Sequence, residues 1–239
     1  MAEVVITVRG SSSSAHRPER ATVHLSVEVE EATKDAAYLG ASRTASEISE
    51  QVERLSDTEQ GPVTQWSSDQ VRVWSDRPWD KNGRQQQEVH HAGVDFRVSF
   101  SDFDVLARWL DVVVPMAGVT LGGLGWSLTD ERLAELGEAA RAAAVRDARD
   151  RAQSYARSLG LGEVRASAIA DPGMLDGTGA ASGGAQPHIM YASQAGMPAG
   201  ASRLSFTPDQ ITVGCAVDAR FVVGAATGEG TTPESDRAR

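Results

Sequence analysis

Residues 129–160 read TDERLAELGEAARAAAVRDARDRAQSYARSLG and predict one α-helix about 45 Å long. Its apolar side chains recur every three or four residues and so share one face: Leu133, Leu136, Ala140, Ala144, Ala148, Ala152, Tyr155 and Leu159. Most of this face is alanine, whose short side chain brings the helix backbone close to its neighbour. We therefore expect a sheet or a second helix to lie unusually near this helix.

The segment before this helix predicts alternating strands and helices. Its apolar patterns predict a strand at 21–30, a helix at 33–55, strands at 69–75 and 89–100, a helix after residue 101 and a strand at 119–128. A helical capping-box pattern, Ser101 with Asp104, marks the start of the second helix. Asn82 followed by Gly83 favours a tight turn with positive φ, which predicts a hairpin. This order predicts an α+β fold with a ferredoxin-like βαββαβ antiparallel core.

Further segments extend this core. Period-two or β-branched patterns predict additional strands at 4–8, 163–170 and 211–223. We expect them, with the long alanine-rich helix, to belong to a single domain of residues 1–224. Within it, residues 171–205 form a Gly-, Ala- and Met-rich loop, which is either a functional flap or a disordered insert. The polar, Gly-rich residues 225–239 are expected to be a disordered tail.

Composition restricts the partners. The 239-residue chain has a formal net charge of −10, which disfavours binding to nucleic acid or to an anionic membrane because phosphates would be repelled. No segment has the apolar length needed to span a bilayer. The single cysteine, Cys215, cannot form an internal disulfide. Residues 1–10 lack the basic region and apolar run of a signal peptide. We therefore expect a cytoplasmic protein without membrane insertion.

Four stretches resemble the SIMPL domain family, which includes periplasmic immunogenic proteins of bacteria and a kinase-associated signalling protein of animals. They are ITVRG, HHAGVDFRVSFSD, EAARAAAVRDARDRAQSYARSLG and PDQITVGCAVDARFVV. The resemblance implies a SIMPL-type fold of unknown function, and some family members assemble into large rings or channel-like oligomers. The first residues of this chain do not predict the signal peptide that many bacterial members carry. The chain also has serines at 11–14 where glycine is frequent, and His90 where a tyrosine often opens the fourth strand.

The residues that could carry chemistry do not form a catalytic, metal-binding or cofactor-binding set. His90 and His91 are adjacent, but neighbours in a strand point to opposite faces and cannot easily chelate one ion. Cys215 lies on the predicted apolar face of the last strand, which indicates a small buried hydrophobe rather than a reactive thiol. We therefore expect neither enzymatic activity nor a bound cofactor or metal.

A Gly-rich stretch, Gly122, Gly123 and Gly125, precedes the long helix. It lacks the Gly-Lys-Ser/Thr ending of a phosphate-binding loop and lies within a predicted strand rather than after one. Glycines in a strand permit close approach by another backbone. The alanine-rich helix is the neighbour that they would admit.

Apolar residues outside the predicted core are candidates for interaction with another protein. Trp79 lies in the hairpin loop among charged residues, where it is either a binding anchor or half-buried against its own hairpin. Met190, Tyr191 and Met197 lie in the 171–205 loop, where adaptable contacts and disorder are competing explanations.

Three charged residues, Arg141, Asp147 and Arg151, fall on or near the alanine face of the long helix. The i,i+4 spacing of Asp147 and Arg151 is typical of a salt-bridged helix surface. Their position also predicts a polar partner for this face, either another subunit or the 171–205 loop.

These observations favour a non-catalytic SIMPL-type assembly or protein-interaction module, a homo-oligomer with a protein partner of unknown identity. A role in stress or signalling is implied by the family resemblance alone. The alternative, from a different class, is a small-ligand-binding or hydrolytic protein whose pocket lies beneath the 171–205 loop.

Overall fold

The computed structural model describes residues 3–56, 61–175, 188–190 and 207–224. Its helices and strands are β1 (Val4–His16), β2 (Arg20–Glu31), α1 (Lys34–Ser56), β3 (Val63–Ser68), β4 (Arg72–Asp76), β5 (Val89–Phe100), α2 (Phe103–Val113), β6 (Val119–Ser127), α3 (Asp130–Ser158), β7 (Arg165–Ala170), β8 (His188–Met190) and β9 (Ile211–Val223). The predicted mixture of helices with antiparallel strands is confirmed, and the strands form two sheets.

The chain divides into two compact units. The long-helix unit consists of Met1–His16, Asp130–Met190 and Thr212–Arg239. The five-stranded unit consists of Arg17–Thr129 and Tyr191–Ile211. The proposed boundaries of a single domain, 1–224, stay a prediction.

The sheet of the five-stranded unit has the order β3-β5-β2-β6, and β4 also pairs with β5. One face of β2 and β5 is apolar, as the alternating pattern predicts, and α1 and α2 pack against it. Its largest fully buried side chains are Phe100, Ile48, Leu106, Leu110, Val23, Val27, Val52, Val98 and Val113. The opposite face of these strands carries polar side chains, among them His24, Asp95 and Arg97.

Two details of this unit differ from the sequence prediction. The strand predicted at 69–75 is found in part as β4, and β3 is an additional strand before it. The two strands pair with opposite ends of β5 because that strand is long enough to hold both. The start of α2 is capped by Asp102 rather than by Ser101. The Asp102 carboxylate accepts hydrogen bonds from the amides of Asp104 and Val105 at 2.9 and 3.0 Å, which satisfies two unpaired donors of the first turn.

The long-helix unit contains a second sheet of order β1-β9-β7, in which β8 also pairs with β9. The last strand, β9, has the predicted bounds, and every second residue from Ile211 to Val223 is buried. The first strand, β1, continues to His16 instead of ending near Val8. Its polar residues remain in the strand because helix α3 bonds to them: the Ser12 hydroxyl donates to the Ala140 carbonyl at 2.9 Å.

Helix α3 confirms the predicted alanine face over most of its length. The fully or nearly fully buried positions are Leu136, Gly137, Ala140, Ala144, Ala148, Ala152 and Ala156. The prediction is wrong at the carboxyl end, where Tyr155 and Leu159 are 57% and 65% exposed. Ala156 lies inward instead, because the four-residue repeat of alanines continues through it and turns the larger side chains away.

A close approach of the α3 backbone is also confirmed, and its partner is β1. A Cβ atom on Gly10 would overlap the Ala144 carbonyl oxygen and lie 2.6 Å from the Ala148 amide nitrogen. Gly122, predicted to make this contact, is nearest the His24 carbonyl of strand β2. The backbones of β1 and α3 can meet only because Gly10 has no side chain and the helix presents alanines.

The polar residue on the alanine face also finds its partner in β1. Asp147 accepts a hydrogen bond from the Ser11 amide at 2.9 Å and pairs with Arg151 at 3.0 Å. These bonds, first that from Ser11, lower the pKa of the Asp147 carboxyl. Within the described residues, the polar partner of Asp147 is therefore strand β1, and Arg141 is exposed. Another subunit or the 171–205 loop as a partner of this face stays a prediction.

A second carboxylate, that of Asp218 in β9, accepts hydrogen bonds from Arg9 and Gly173. Asp218 accepts two hydrogen bonds from the Arg9 guanidinium, at 2.7 and 3.1 Å, and one from the Gly173 amide at 2.7 Å. The hydrogen bonds from Arg9 lower the pKa of the Asp218 carboxyl. Partial burial opposes this shift, and the hydrogen bond from the Gly173 amide adds to it. The ionised form of Asp218 is therefore favoured by folding.

Replacing Gly10 by alanine should destabilise the long-helix unit. The added methyl group overlaps helix backbone that cannot move without breaking α3, and overpacking of this kind costs about 1–3 kcal/mol or more. Urea unfolding followed by circular dichroism measures the change. Gly125→Ala is the matched control, because the nearest atom to its added Cβ, the Thr22 carbonyl oxygen, is 3.9 Å away. Equal stabilities of the two variants would contradict the close contact.

Replacing Asp218 by asparagine should flatten the acid dependence of stability. Because the folded-state pKa of Asp218 is lowered, its contribution is present above the unfolded value of about 3.9 and is lost as pH falls through the folded value. The free energy of unfolding of Asp218→Asn should therefore differ most from the parent near neutral pH and converge with it in acid. Asp150→Asn, on the exposed side of α3, is the control. Parallel pH curves for parent and Asp218→Asn would refute the role of the carboxylate.

Candidate interaction site

The predicted hairpin is formed by β4 and β5, whose strands pair from Arg72 with Gly93 to Asp76 with Val89. We call its connecting loop, residues 77–88, together with Trp74, Asp76 and His91, the hairpin surface. Strand β5 is fixed on its other side by its pairing with β2. The hairpin surface therefore starts from a strand that is held at the centre of the sheet.

Trp79 lies in the loop between β4 and β5 and is 67% exposed. It forms an isolated backbone bridge with Gln85, which closes the loop behind it. The Asp80 carboxylate accepts hydrogen bonds from the amides of Asn82 and Arg84 at 2.9 and 2.7 Å. Gly83 has a φ of 70°, the positive value that the Asn-Gly pair predicts. Of the two interpretations of Trp79, the exposed position is the one observed.

Trp74 lies on the polar face of the sheet and stacks on His91. The two ring centroids are 5.3 Å apart and the planes differ by 8°. Gly93 provides the space for this stack, since a Cβ atom there would lie 3.3 Å from the Trp74 ring. The stack leaves Trp74 40% exposed, so an aromatic ring is available on the same hairpin as Trp79.

Two carboxylates face the His91 imidazole. Its Nε2 lies 3.2 Å from Asp76 Oδ1, and its Nδ1 lies 3.9 Å from Glu28 Oε1. The ring is therefore oriented by one hydrogen bond to Asp76, one longer contact with Glu28 and the Trp74 face. This arrangement fixes a flat aromatic platform at the base of the loop.

His90 belongs to a separate contact on the other face of the strand, as the strand geometry predicts. Its Nδ1 lies 2.6 Å from the Ser75 hydroxyl. A Ser–His contact resembles part of a nucleophilic dyad, but the imidazole then needs an orienting group. Among the described residues, His90 has no carboxylate partner. The contact is a cross-strand hydrogen bond.

The other candidate residues are placed only in part. Met190 ends β8, which pairs with β9 through Met190 and Thr212. Tyr191 and Met197 lie outside the described residues. The sequence proposed Trp79 as a candidate, and its role in binding stays a prediction. The sequence did not reveal the stack of Trp74 on His91. Only the register between β4 and β5 brings these two residues opposite each other.

Chemistry elsewhere in the described part of the chain is limited. Cys215 is buried in the core of the long-helix unit, as predicted. No three His, Cys, Asp or Glu side chains within the described residues converge as a metal site would require. None of the described helices combines the length and apolarity that crossing a membrane demands.

Comparison with known proteins gives a family assignment. The sequence model of the SIMPL family, described as a protein of unknown function (DUF541), matches residues 6–221. This range runs from β1 to β9 and covers most of each compact unit. The curated proteins compared with the chain contain no match. The resemblance first drawn from four short stretches is thus confirmed, and the chain belongs to the SIMPL family.

Proposed function

We propose that this SIMPL family member is a non-catalytic interaction protein that assembles into a homo-oligomer through its hairpin surface. The observation that carries the proposal is the exposure of Trp79 on a loop held by its own hydrogen bonds. Tryptophan is the residue type most enriched among interface positions that dominate binding energy. An anchor already held in place loses little conformational entropy when a partner covers it.

The charges of the loop favour a second copy of the chain as the partner. Between residues 76 and 88, three acidic and three basic side chains balance: Asp76, Asp80 and Glu88 against Arg77, Lys81 and Arg84. The whole chain carries a net charge of −10, so two copies repel each other over most of their surfaces. A locally neutral loop with both signs is suited to a self-complementary contact.

The aromatic platform adds area beside the anchor. Trp74 is partly exposed on the polar sheet face, and its stack on His91 fixes the orientation of the ring. The nearby Arg77–Glu88 pair is long, at 3.9 Å, and exposed on both sides. Such a pair contributes little within one molecule and leaves both charges available to a partner.

Several finer features belong to the same proposal. We infer that the five-stranded unit is ferredoxin-like, which its order of strands and helices supports. A cytoplasmic location and a role in stress or signalling remain proposals from the sequence and the family. The alternative function, a ligand or hydrolytic site beneath the 171–205 loop, falls mostly on residues outside the described part of the chain.

Truncating Trp79 should weaken self-association without unfolding the protein. In size-exclusion chromatography with light scattering, the parent should run as an oligomer at micromolar concentration. Trp79→Ala should shift towards monomer, because the exposed indole supplies binding area and no core contact. Tyr155→Ala is the control, since Tyr155 is an exposed aromatic residue on α3.

Two outcomes would count against this function. A parent protein that stays strictly monomeric would contradict the proposed homo-oligomer. If the oligomer is equally stable in Trp79→Ala and Tyr155→Ala, the contact between copies lies outside the hairpin surface. Circular dichroism of each variant tests whether the fold is retained.

A further inference from the structure

A cleft lies in the five-stranded unit between the carboxyl end of α1 and helix α2, away from the hairpin loop. Its volume is about 440 Å³, within the range of about 300–1,000 Å³ usual for small-molecule sites. The residues used below are, in chain order, Arg54, Leu55, Pro62, Val105, Arg108 and Trp109. The family assignment does not explain this cleft, and the proposed assembly does not use it.

The walls of the cleft are largely apolar and are supported by the core. Leu55, Pro62 and Val105 supply aliphatic surface. Trp109 is only 5% exposed, and its ring packs against Phe100 with centroids 5.2 Å apart. This wall belongs to the buried cluster that joins α2 to the sheet, so it does not collapse when the cleft is empty.

Two cations line the same cleft, one from each helix. Arg108 forms no ion pair with any other described residue. Arg54 has only a 3.9 Å contact with Glu50, and both side chains are about two-thirds exposed. In a chain with a net charge of −10, two weakly engaged guanidinium groups at an apolar cleft favour an anionic ligand.

The indole nitrogen of Trp109, Nε1, is enclosed by protein atoms and is not exposed to the cleft. It has no hydrogen-bond acceptor among the described residues. A buried donor without a partner costs about 1–3 kcal/mol, and native structures contain few of them. Because this atom has almost no accessible surface, an acceptor in the cleft does not reach it unless the wall shifts.

We propose that this cleft binds a small organic anion, with one carboxylate between the guanidinium groups of Arg54 and Arg108 and an aromatic or branched aliphatic body against Leu55, Val105 and Trp109. The size of the cleft suits a body of about one ring and a short chain. A neutral molecule of the same shape gains the apolar contacts alone. This inference is independent of the proposed assembly, because it uses none of the hairpin residues.

Binding is tested with 4-phenylbutyrate as the probe and the neutral 4-phenylbutanol as its matched analogue. The chain contains five tryptophans, so the Trp109 indole N–H signal in a ¹⁵N-correlated spectrum is assigned by its loss in Trp109→Phe. We expect a saturable shift of this signal with 4-phenylbutyrate. The neutral alcohol should bind about tenfold more weakly, because it lacks the charge-assisted contacts.

One variant on α2 and a control variant on α3 test whether Arg108 supplies the charge. Arg108→Ala should weaken 4-phenylbutyrate binding about tenfold and leave the affinity for 4-phenylbutanol unchanged. Arg146→Ala, an exposed arginine on α3, should change neither affinity. The absence of a saturable shift at millimolar probe would overturn the site, as would equal affinities for acid and alcohol, or an Arg108→Ala variant that binds the acid like the parent.

Discussion

The contact on which the long-helix unit depends is the packing of Gly10 in β1 against the backbone of α3 at Ala144 and Ala148. Aromatic residues are only 5% of the chain, so large side chains cannot fill the space between this sheet and its helix. Because Gly10 has no side chain and α3 presents alanines, the backbones of β1 and α3 lie in direct contact instead. Dispersion contacts are then dense although each side chain is small.

Hydrogen bonds at the two residues after Gly10 hold the strand in register with the helix. The Ser11 amide donates to Asp147, and the Ser12 hydroxyl donates to the Ala140 carbonyl. These bonds explain why a serine-rich segment stays extended rather than forming a loop. Gly214 of β9 continues the close spacing, since a Cβ atom there would lie 2.9 Å from the Ser12 carbonyl.

In the five-stranded unit, larger side chains fill the space between the sheet and its helices. Its core contains Phe100, Trp109 and several branched residues beneath two helices. The centre of its sheet is β5, which pairs with β2, β3 and β4. These pairings fix β5 in the sheet, so the hairpin that it forms with β4 can expose tryptophans without loss of the fold. The helices on the other face of the sheet leave the cleft between them.

Local periodicity made the helix α3 and the strand β9 predictable, because each pattern is complete within its own segment. The partner of α3 was not predictable, since Gly10 lies more than a hundred residues from Ala144. Tyr155 and Leu159 were assigned inward because hydrophobicity alone favours them over Ala156. The exposure of Trp79 could be predicted from its charged neighbours in the sequence. The Trp74–His91 stack depends on a cross-strand register that no local signal specifies.

The most direct test of the central packing claim is the nuclear Overhauser effect between the Gly10 α-protons and the methyl groups of Ala144 and Ala148. A Cβ atom on Gly10 would lie 2.7 Å from Ala148 Cβ, so the α-proton in that direction is close to the methyl group. The account predicts a strong cross-peak between Gly10 and Ala148. Its absence, with the Gly10 α-protons instead giving cross-peaks to another element, would contradict the account.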